Sequence, residues 1–173
     1  NSYRDIADEI IIVDTGSTDR TKEICNDLGC KVIDYVWEDD FSKARNFAIS
    51  QAKYDCILFL DADEYFVNKL DNNFKISMEE ILSQGYNGIK FATKNIDTNL
   101  QVLISNSYGL KFFKNIGFKY ERKIHELISS KGVDLNFITV LGYDLVHTGY
   151  SVNTDKNKCK RNLDILNKLC ENA

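Results

Sequence analysis

Two aspartates follow directly after an apolar run, and their spacing suits the binding of a divalent cation. Asp61 and Asp63 come after residues 56–60, a stretch with the composition of a buried strand. Side chains two residues apart in an extended chain point to the same side, so the two carboxylates repel unless a cation lies between them. Carboxylate oxygens suit Mg²⁺ or Mn²⁺, which commonly share their sites with phosphates. The alternative is that Asp61, Asp63 and Glu64 only solvate a loop, and the motif alone leaves both interpretations open.

The composition is that of a single globular domain. The chain has 173 residues, of which 43% are apolar and 28% charged, as is ordinary for a soluble protein with a sizeable core. Its net charge of −4 argues against a general nucleic-acid binder. The longest apolar runs have five residues, whereas a membrane-spanning helix needs about 20. No leader of a secretory signal comes before the first predicted strand. We therefore expect a cytoplasmic protein without a transmembrane segment, and attachment at the inner membrane face stays open.

The cysteines favour a reducing compartment. The chain has five, an odd number, and none of them forms a C-x-x-C pair. Cys56 lies inside an apolar stretch, where a small buried thiol is the ordinary interpretation. We expect no structural disulfides, and the spacing argues against a zinc site built from cysteines.

Apolar and helical stretches alternate in the first third of the chain. Strands are predicted at 9–13, 30–35 and 56–60, and helices at 18–28 and 42–53. This alternation is typical of an α/β fold with a mostly parallel, twisted sheet and helices on both faces. Asp14 and Asp61 both follow strands, and ligands of such sheets bind beyond the carboxyl ends of the strands, so one cleft could hold both.

The pattern changes after Glu64. A short helix is predicted at 77–83, strands at 88–93, 101–104, 110–114 and 141–147, and a final helix from 154. A hairpin is expected around residues 97–99. The strand at 9–13 is too apolar for a sheet edge, so we expect another strand beside it.

Six short motifs, in order and at fitting distances, carry a resemblance to a known family. They lie at 11–19, 39–46, 60–64, 111–115, 124–126 and 147–150. Together they resemble a family-2 glycosyltransferase with the GT-A (nucleotide-diphosphosugar transferase) fold, in a branch that acts on lipopolysaccharide or polypeptide acceptors. Two departures stand out: the family's first strand has no counterpart here, and Lys111 and Lys114 stand where the family more often has arginine.

The resemblance implies one domain over 1–173. Its parts are a nucleotide-binding half at 1–64, an acceptor half at 65–153 and a C-terminal helix at 154–173. The implied reaction moves a hexose from a nucleotide-diphosphate sugar to an acceptor hydroxyl with inversion at the anomeric carbon. The nucleotide is expected to be UDP, and the acceptor a glycan, a lipid-linked molecule or a protein.

The resemblance also implies roles for particular residues on the donor side. Asp63 would hold Mn²⁺ or Mg²⁺, with help from Asp61 directly, through water or through the ribose hydroxyls, and His147 would be a third ligand. Asp14 and Arg45 would contact the nucleotide. The ordinary alternatives are a capping role for Asp14, a surface ion pair of Arg45 with Asp39 or Asp40, and a hydrogen bond of His147 with Tyr150.

On the acceptor side the resemblance points to a general base. Glu126 is the first candidate to take the proton of the acceptor hydroxyl, and His125 is the reserve.

Parts of the sequence are also compatible with three functions other than glycosyl transfer. A sugar nucleotidyltransferase shares the strand-end acids and the metal, but its glycine-rich phosphate loop has no match here. A truncated domain that binds nucleotide sugar without catalysis also stays open. Residues 13–17 match the catalytic loop of aspartic proteases, but that chemistry needs two such loops, hence a homodimer, and a helical pattern follows this one at once.

Overall fold

The computed structural model of the protein describes residues 3–129, 131–149 and 152–171, with side chains described from Lys158 onward in the last range. Helices and strands together form an α/β fold, as predicted. The strands are β1 (Ile11–Asp14), β2 (Lys31–Asp34), β3 (Cys56–Leu58), β4 (Glu64–Phe66), β5 (Gly88–Asp97), β6 (Val102–Lys114), β7 (Tyr120–Glu121), β8 (Leu127–Ile128) and β9 (Phe137–His147). The helices are α1 (Thr21–Asp27), α2 (Phe41–Gln51), α3 (Asn72–Ser83) and α4 (Val152–Glu171).

The main sheet is mixed, which corrects the expectation of a mostly parallel one. Its five strands run in the order β3-β6-β5-β9-β4, and only the β5–β9 pair is parallel. β1 and β2 form a separate parallel pair, as the first third of the sequence predicts. The main sheet differs from the prediction because β5 and β6 form a long hairpin. The end of β6 then pairs with β3 in antiparallel orientation.

α2 and α3 pack on opposite faces of the main sheet. Phe112 and Phe113 are neighbours on β6 and point to opposite faces, so they belong to different core clusters. Phe112 packs in the cluster of α3, whose Phe74, Met78 and Leu82 recur every four residues and are buried. Phe113 packs in the other cluster with Ile49 of α2.

α2 and α3 are each capped by an aspartate that the sequence patterns did not indicate, and both helices begin earlier than predicted. Asp71 accepts a hydrogen bond from the Phe74 amide, so α3 begins at Asn72 rather than at 77. Asp40 accepts from the Lys43 amide in the same way and starts α2 at Phe41. The acids that precede each helix therefore set its start.

A cavity of about 710 Å³ separates β1 from β3. Its lining includes Ile11, Ile12 and Val13 of β1 together with Ile57 and Leu58 of β3. β1 is hydrogen-bonded to β2 on one edge, and no strand among the described residues pairs with its other edge. The cavity thus lies on the side of β1 where the sequence predicts a neighbouring strand, and that strand stays a prediction.

Candidate active site

Three charged residues meet beyond the end of β3 in what we call the Arg45 cluster (Arg45, Asp61 and Glu126). Arg45 lies on α2, Asp61 follows β3, and Glu126 directly precedes β8. Arg45 Nη2 is 2.9 Å from Asp61 Oδ1, and Arg45 Nε donates to Glu126 Oε1 at 3.0 Å. The alternative of a surface pair between Arg45 and Asp39 or Asp40 is wrong, because the guanidinium points into the protein toward the other two acids.

Two aromatic rings enclose the Arg45 guanidinium. Its Cζ atom lies 5.2 Å from the centre of the Phe59 ring and 5.4 Å from that of Tyr120. Burial lowers the pKa of Arg45, but the charge and hydrogen bond of Asp61 outweigh it, and the net pKa is raised. Burial also raises the pKa of Tyr120 to about 12, so its hydroxyl stays neutral. Arg45 is therefore a fixed, permanent positive charge.

The loop that carries Glu126 is held against the start of α2. The Phe41 amide donates to the Lys123 carbonyl oxygen, and the Ser42 hydroxyl donates to the Arg122 carbonyl oxygen. Arg122 and His125 have φ angles of +77° and +53°, a region that non-glycine residues rarely adopt. The backbone therefore has a specific shape here, in which the Glu126 carboxylate faces Arg45 and the His125 side chain is exposed.

Asp63 and His147 form the second part of the site. His147 is the last residue of β9, and its Nε2 atom is 3.2 Å from Asp63 Oδ2. The hydrogen bond from His147 lowers the pKa of Asp63 to about 2, so its carboxylate is ionised at neutral pH. On the other side of the ring, His147 Nδ1 is 3.0 Å from Oδ1 of Asn95 on β5. Tyr150, the alternative partner of His147, lies outside the described residues.

Gly149 and Lys158 complete the surroundings of this pair. Lys158 Nζ donates to the Gly149 carbonyl oxygen at 2.9 Å and lies 3.6 Å from Asp63 Oδ2. A Cβ atom on Gly149 would come within 2.8 Å of His147 Nε2 and would also contact the Asp63 carboxylate. Only glycine fits here without displacing the two side chains.

A buried ion pair supports the loop between the two parts. Lys111 Nζ on β6 lies 2.7 Å from Glu64 Oε1 and 2.6 Å from Oε2, and both side chains are buried. Glu64 Oε2 also accepts the Asp61 amide at 3.1 Å. Lys111 therefore positions the turn that carries Asp61 and Asp63.

Asp14 ends β1 and is buried, but its carboxylate is turned toward its own chain. Oδ2 accepts the amides of Gly16 at 3.1 Å and Ser17 at 3.0 Å. Hydrogen bonds from Ser17, followed by that of the Gly16 amide, lower the pKa of Asp14. The capping interpretation is wrong in its detail, because α1 begins only at Thr21, and the acid stabilises the turn instead.

The predicted metal ligands are brought together only in part. Asp63 and His147 are neighbours, whereas Asp61 pairs with Arg45. Within residues 3–129, 131–149 and 152–171 no group of three or more His, Cys, Asp or Glu side chains could hold a metal ion. A cation bound here would take two side chains from the described protein and its other ligands from the substrate or water.

Several residues of the site carry no signal in the sequence. Asn95 lies in a strand without a motif, and Lys158 reads as one polar residue of a helix. Lys111 and Gly149 belong to noted motifs, but their contacts depend on the pairing of distant strands. The spacing of Asp61 and Asp63, together with the motifs at 39–46, 124–126 and 147–150, pointed to this place.

The whole-chain comparisons identify the family. Residues 2–109 match the model of glycosyl transferase family 2. The chain therefore belongs to that family and is a glycosyltransferase domain, as the six motifs predict.

Two relatives match most of the chain, and one of them is named a glycosyltransferase. A TPR repeat-containing protein of Synechococcus elongatus is 32% identical over 73% of the chain. The prophage-derived glycosyltransferase SunS of Bacillus subtilis is 29% identical over 98% of it. The chain spans only 30% and 40% of the lengths of these two relatives.

One similar solved structure is that of S. aureus TarS residues 1–349 in complex with UDP. The match covers 56% of this chain and 30% of the TarS chain. The match has 26% sequence identity and a TM-score of 0.46. None of the helices in the described parts of the chain is long and apolar enough to cross a membrane.

Proposed function

We propose that the protein transfers a hexose from a nucleotide-diphosphate sugar to an acceptor hydroxyl, with inversion and with the help of Mn²⁺ or Mg²⁺. The observation that carries the proposal is the meeting of two groups at one turn. Asp61 joins the Arg45 cluster and Asp63 joins His147, with only Ala62 between them. A fixed cation, a candidate base and a candidate metal site thus lie around one loop.

The donor set at Asp63 and His147 fits a divalent cation. Octahedral ligands at about 2.1 Å from an ion lie roughly 3 Å apart, and His147 Nε2 and Asp63 Oδ2 are 3.2 Å apart. The depressed pKa keeps Asp63 ionised. An imidazole nitrogen beside a carboxylate favours Mn²⁺ over Mg²⁺, which takes oxygen ligands. When bound, the cation would neutralise charge that develops on the departing diphosphate.

The other basic groups of the site would bind the same end of the donor. Lys158 Nζ lies beside Asp63, where its ammonium can contact a phosphate oxygen. Arg45 is a permanent cation whose present partner is Asp61. We assign Arg45 and Asp14 to the nucleotide, and the family resemblance favours UDP. Asp14 would contact the ribose or base through Oδ1, since its Oδ2 accepts the Gly16 and Ser17 amides.

Glu126 is the residue that we assign as the general base for the acceptor hydroxyl. In the reaction the acceptor oxygen bonds to the anomeric carbon, the bond from that carbon to the diphosphate oxygen breaks, and the hydroxyl proton passes to a base. Arg45 holds Glu126 through Oε1, so Oε2 is the atom we assign to that proton. The acceptor is a hydroxyl of a glycan, a lipid-linked molecule or a protein.

A donor-hydrolysis screen on the full-length protein tests this function. UDP-glucose and UDP-N-acetylglucosamine are incubated with Mn²⁺, and release of UDP is followed. We expect release of UDP that needs the cation and falls by about a hundredfold or more in Glu126→Gln, while donor affinity is retained. A nucleotidyltransferase would instead make pyrophosphate from a nucleoside triphosphate and a sugar phosphate. That activity, or donor binding without any turnover, would contradict the proposal.

A further inference from the structure

A row of three hydrogen-bonded side chains crosses the main sheet and ends at the candidate metal site. Asn95 on β5 is paired in register with His147 on parallel β9 and with Ser105 on antiparallel β6. Asn95 Nδ2 donates to Ser105 Oγ at 2.9 Å, and Asn95 Oδ1 lies 3.0 Å from His147 Nδ1. Strand register, rather than a loop, therefore sets the position of the histidine ring.

The contact with Asn95 determines which nitrogen of His147 faces Asp63. An amide oxygen can only accept a hydrogen bond, so His147 Nδ1 must carry the proton in this arrangement. Nε2 then faces Asp63 Oδ2, another acceptor, at 3.2 Å. Two acceptors at that distance require a positive group between or beside them. The Lys158 ammonium lies 3.6 Å from Asp63 Oδ2 on one side, and a second proton on the ring or a metal ion would join the two acceptors directly.

The amide is placed where an apolar side chain would be the ordinary choice. Asn95 is only 5% exposed, and burying an amide costs free energy unless both its ends are hydrogen-bonded. Thr93, two residues earlier on β5, is also buried, and its hydroxyl has no hydrogen-bond partner in the described part of the chain. The two positions share a strand and a face, but only Asn95 reaches the site.

We infer that Asn95, supported by Ser105, is a positioning residue that keeps His147 in the Nδ1–H form and so presents Nε2 to the divalent cation held with Asp63. The inference rests on the proposed function of Asp63 and His147. Metal-bound histidines generally donate their second ring N–H to such a partner, which fixes the ring and makes the ligand nitrogen more basic.

Mn²⁺ affinity in the presence of UDP tests the inference on the full-length protein. The electron paramagnetic resonance signal of free Mn²⁺ reports binding without requiring turnover. Asn95→Leu removes the acceptor, and we expect affinity to fall by about tenfold or more. Asn95→Asp keeps an acceptor for Nδ1–H and loses only the N–H that donates to Ser105, whose hydroxyl can turn and donate to the new carboxylate. We expect it to retain affinity within about threefold of the wild type. Thr93→Val is the matched control and should bind as the wild type does.

Comparison of Asn95→Asp with Asn95→Leu separates the positioning of His147 from a merely structural role of Asn95. If the N–H that Asn95 donates to Ser105 were all that mattered, both variants would lack it and would lose affinity equally. That result would overturn the inference. The inference would also be overturned if Asn95→Leu kept its Mn²⁺ affinity while Asp63→Ala lost Mn²⁺ binding. In that case the proposed function would survive. If wild type and Asp63→Ala bind Mn²⁺ equally weakly, the proposed metal site fails and the inference fails with it.

A second readout observes the ring directly. Residues 1–173 contain two histidines, so in a protein of these residues the ring nitrogens are readily resolved in a ¹H–¹⁵N spectrum recorded with Mg²⁺ and UDP. We expect the proton of His147 on Nδ1 in the wild type and a changed pattern in Asn95→Leu. A proton on Nε2 alone, in the presence of the bound cation, would overturn the inference.

Discussion

Arg45 is the residue that joins the donor and acceptor sides of the site. It holds Asp61 and Glu126 with one guanidinium group, between the rings of Phe59 and Tyr120. Two carboxylates this close to each other repel, and the planar guanidinium can bind both at once with separate N–H groups. Its removal would therefore affect stability as well as substrate binding.

Arg45→Met should lower the free energy of unfolding by about 2–3 kcal/mol, because it leaves two partly buried carboxylates without their counter-ion. Urea denaturation measures the change. Arg20→Met is the control, since Arg20 pairs with Glu23 on an exposed helix surface, and it should leave the free energy of unfolding almost unchanged. Equal effects of the two substitutions would contradict the description of the Arg45 cluster.

Asp63 should give the metal-free protein a distinct dependence on acid. Its pKa falls from an ordinary 3.8 to about 2 in the folded chain, mainly through the hydrogen bond from His147. A group with a depressed folded pKa adds stability above its unfolded pKa and loses that contribution as the pH falls through the folded pKa. The stability difference between wild type and Asp63→Asn should therefore shrink between about pH 4 and about pH 2. Urea unfolding at several pH values measures it, and a difference that does not change with pH would count against the pair.

The main side chains of the candidate site could be predicted from the sequence, but their hydrogen-bond and ion-pair partners could not. Asp63 and His147 were predicted as neighbours, and Arg45 was assigned to the nucleotide beside Asp61. The pairing of Asp61 with Arg45, and the contact of Asn95 with His147, depend on which strands lie side by side. A local pattern carries no information on such distant pairing, so these contacts could not be predicted.

At the scale of elements, β4 and β6 are linked by one buried ion pair. Lys111 and Glu64 come from strands that are not hydrogen-bonded to each other. The pair also holds the Asp61 amide through Glu64 Oε2. The turn that carries Asp61 and Asp63 is therefore held in place by a lysine that is far away in the sequence.

Lys111→Met should lower the free energy of unfolding by about 3 kcal/mol, because it leaves a buried carboxylate unpaired. Adding Glu64→Gln removes the uncompensated charge, so the double variant should lose less than the sum of the two single losses. Urea denaturation of the four proteins gives the coupling free energy. Strictly additive losses would show that the two groups do not interact.

The elements themselves were predicted well where periodicity is local. The hairpin between β5 and β6 turns where residues 97–99 predict it, and α2 matches its predicted span closely. The bounds of α3 were wrong because Asp71 caps it one and a half turns before the capping pattern that begins at Ser77. The two predicted strands at 101–104 and 110–114 are one strand, since Ser105 to Gly109 continue the ladder with β5.

At the scale of the molecule, the first parallel pair stands apart from the main sheet. In the part of the chain that the structure describes, β1 and β2 pair only with each other, and the 710 Å³ cavity separates β1 from β3. A two-stranded sheet has little stability of its own, whereas β5 is central in a five-stranded sheet and buried along much of its length. The α/β class was predictable from alternation, but the mixed sheet was not, because the strands at 88–147 carry no signal of their direction.

Amide hydrogen exchange should divide the molecule along this cavity. In metal-free protein that consists of residues 1–173 alone, we expect the amides of β1 and β2 to exchange at least about a hundredfold faster than those of β5, because local opening there breaks few contacts. Exchange followed by mass spectrometry on peptides covering 9–35 and 88–97 measures it. Equal protection of the two regions would mean that β1 is supported as firmly as the main sheet.

Calorimetric titration of UDP into the full-length protein, with and without Mn²⁺, shows whether Asp63 and His147 hold a cation that binds the donor. We expect UDP binding to strengthen at least about tenfold with Mn²⁺, and both Asp63→Ala and His147→Ala to lose that gain. Thr93→Val should keep the gain. UDP binding of equal strength with and without Mn²⁺, or a gain that survives in both variants, would contradict the assignment of Asp63 and His147 to the metal.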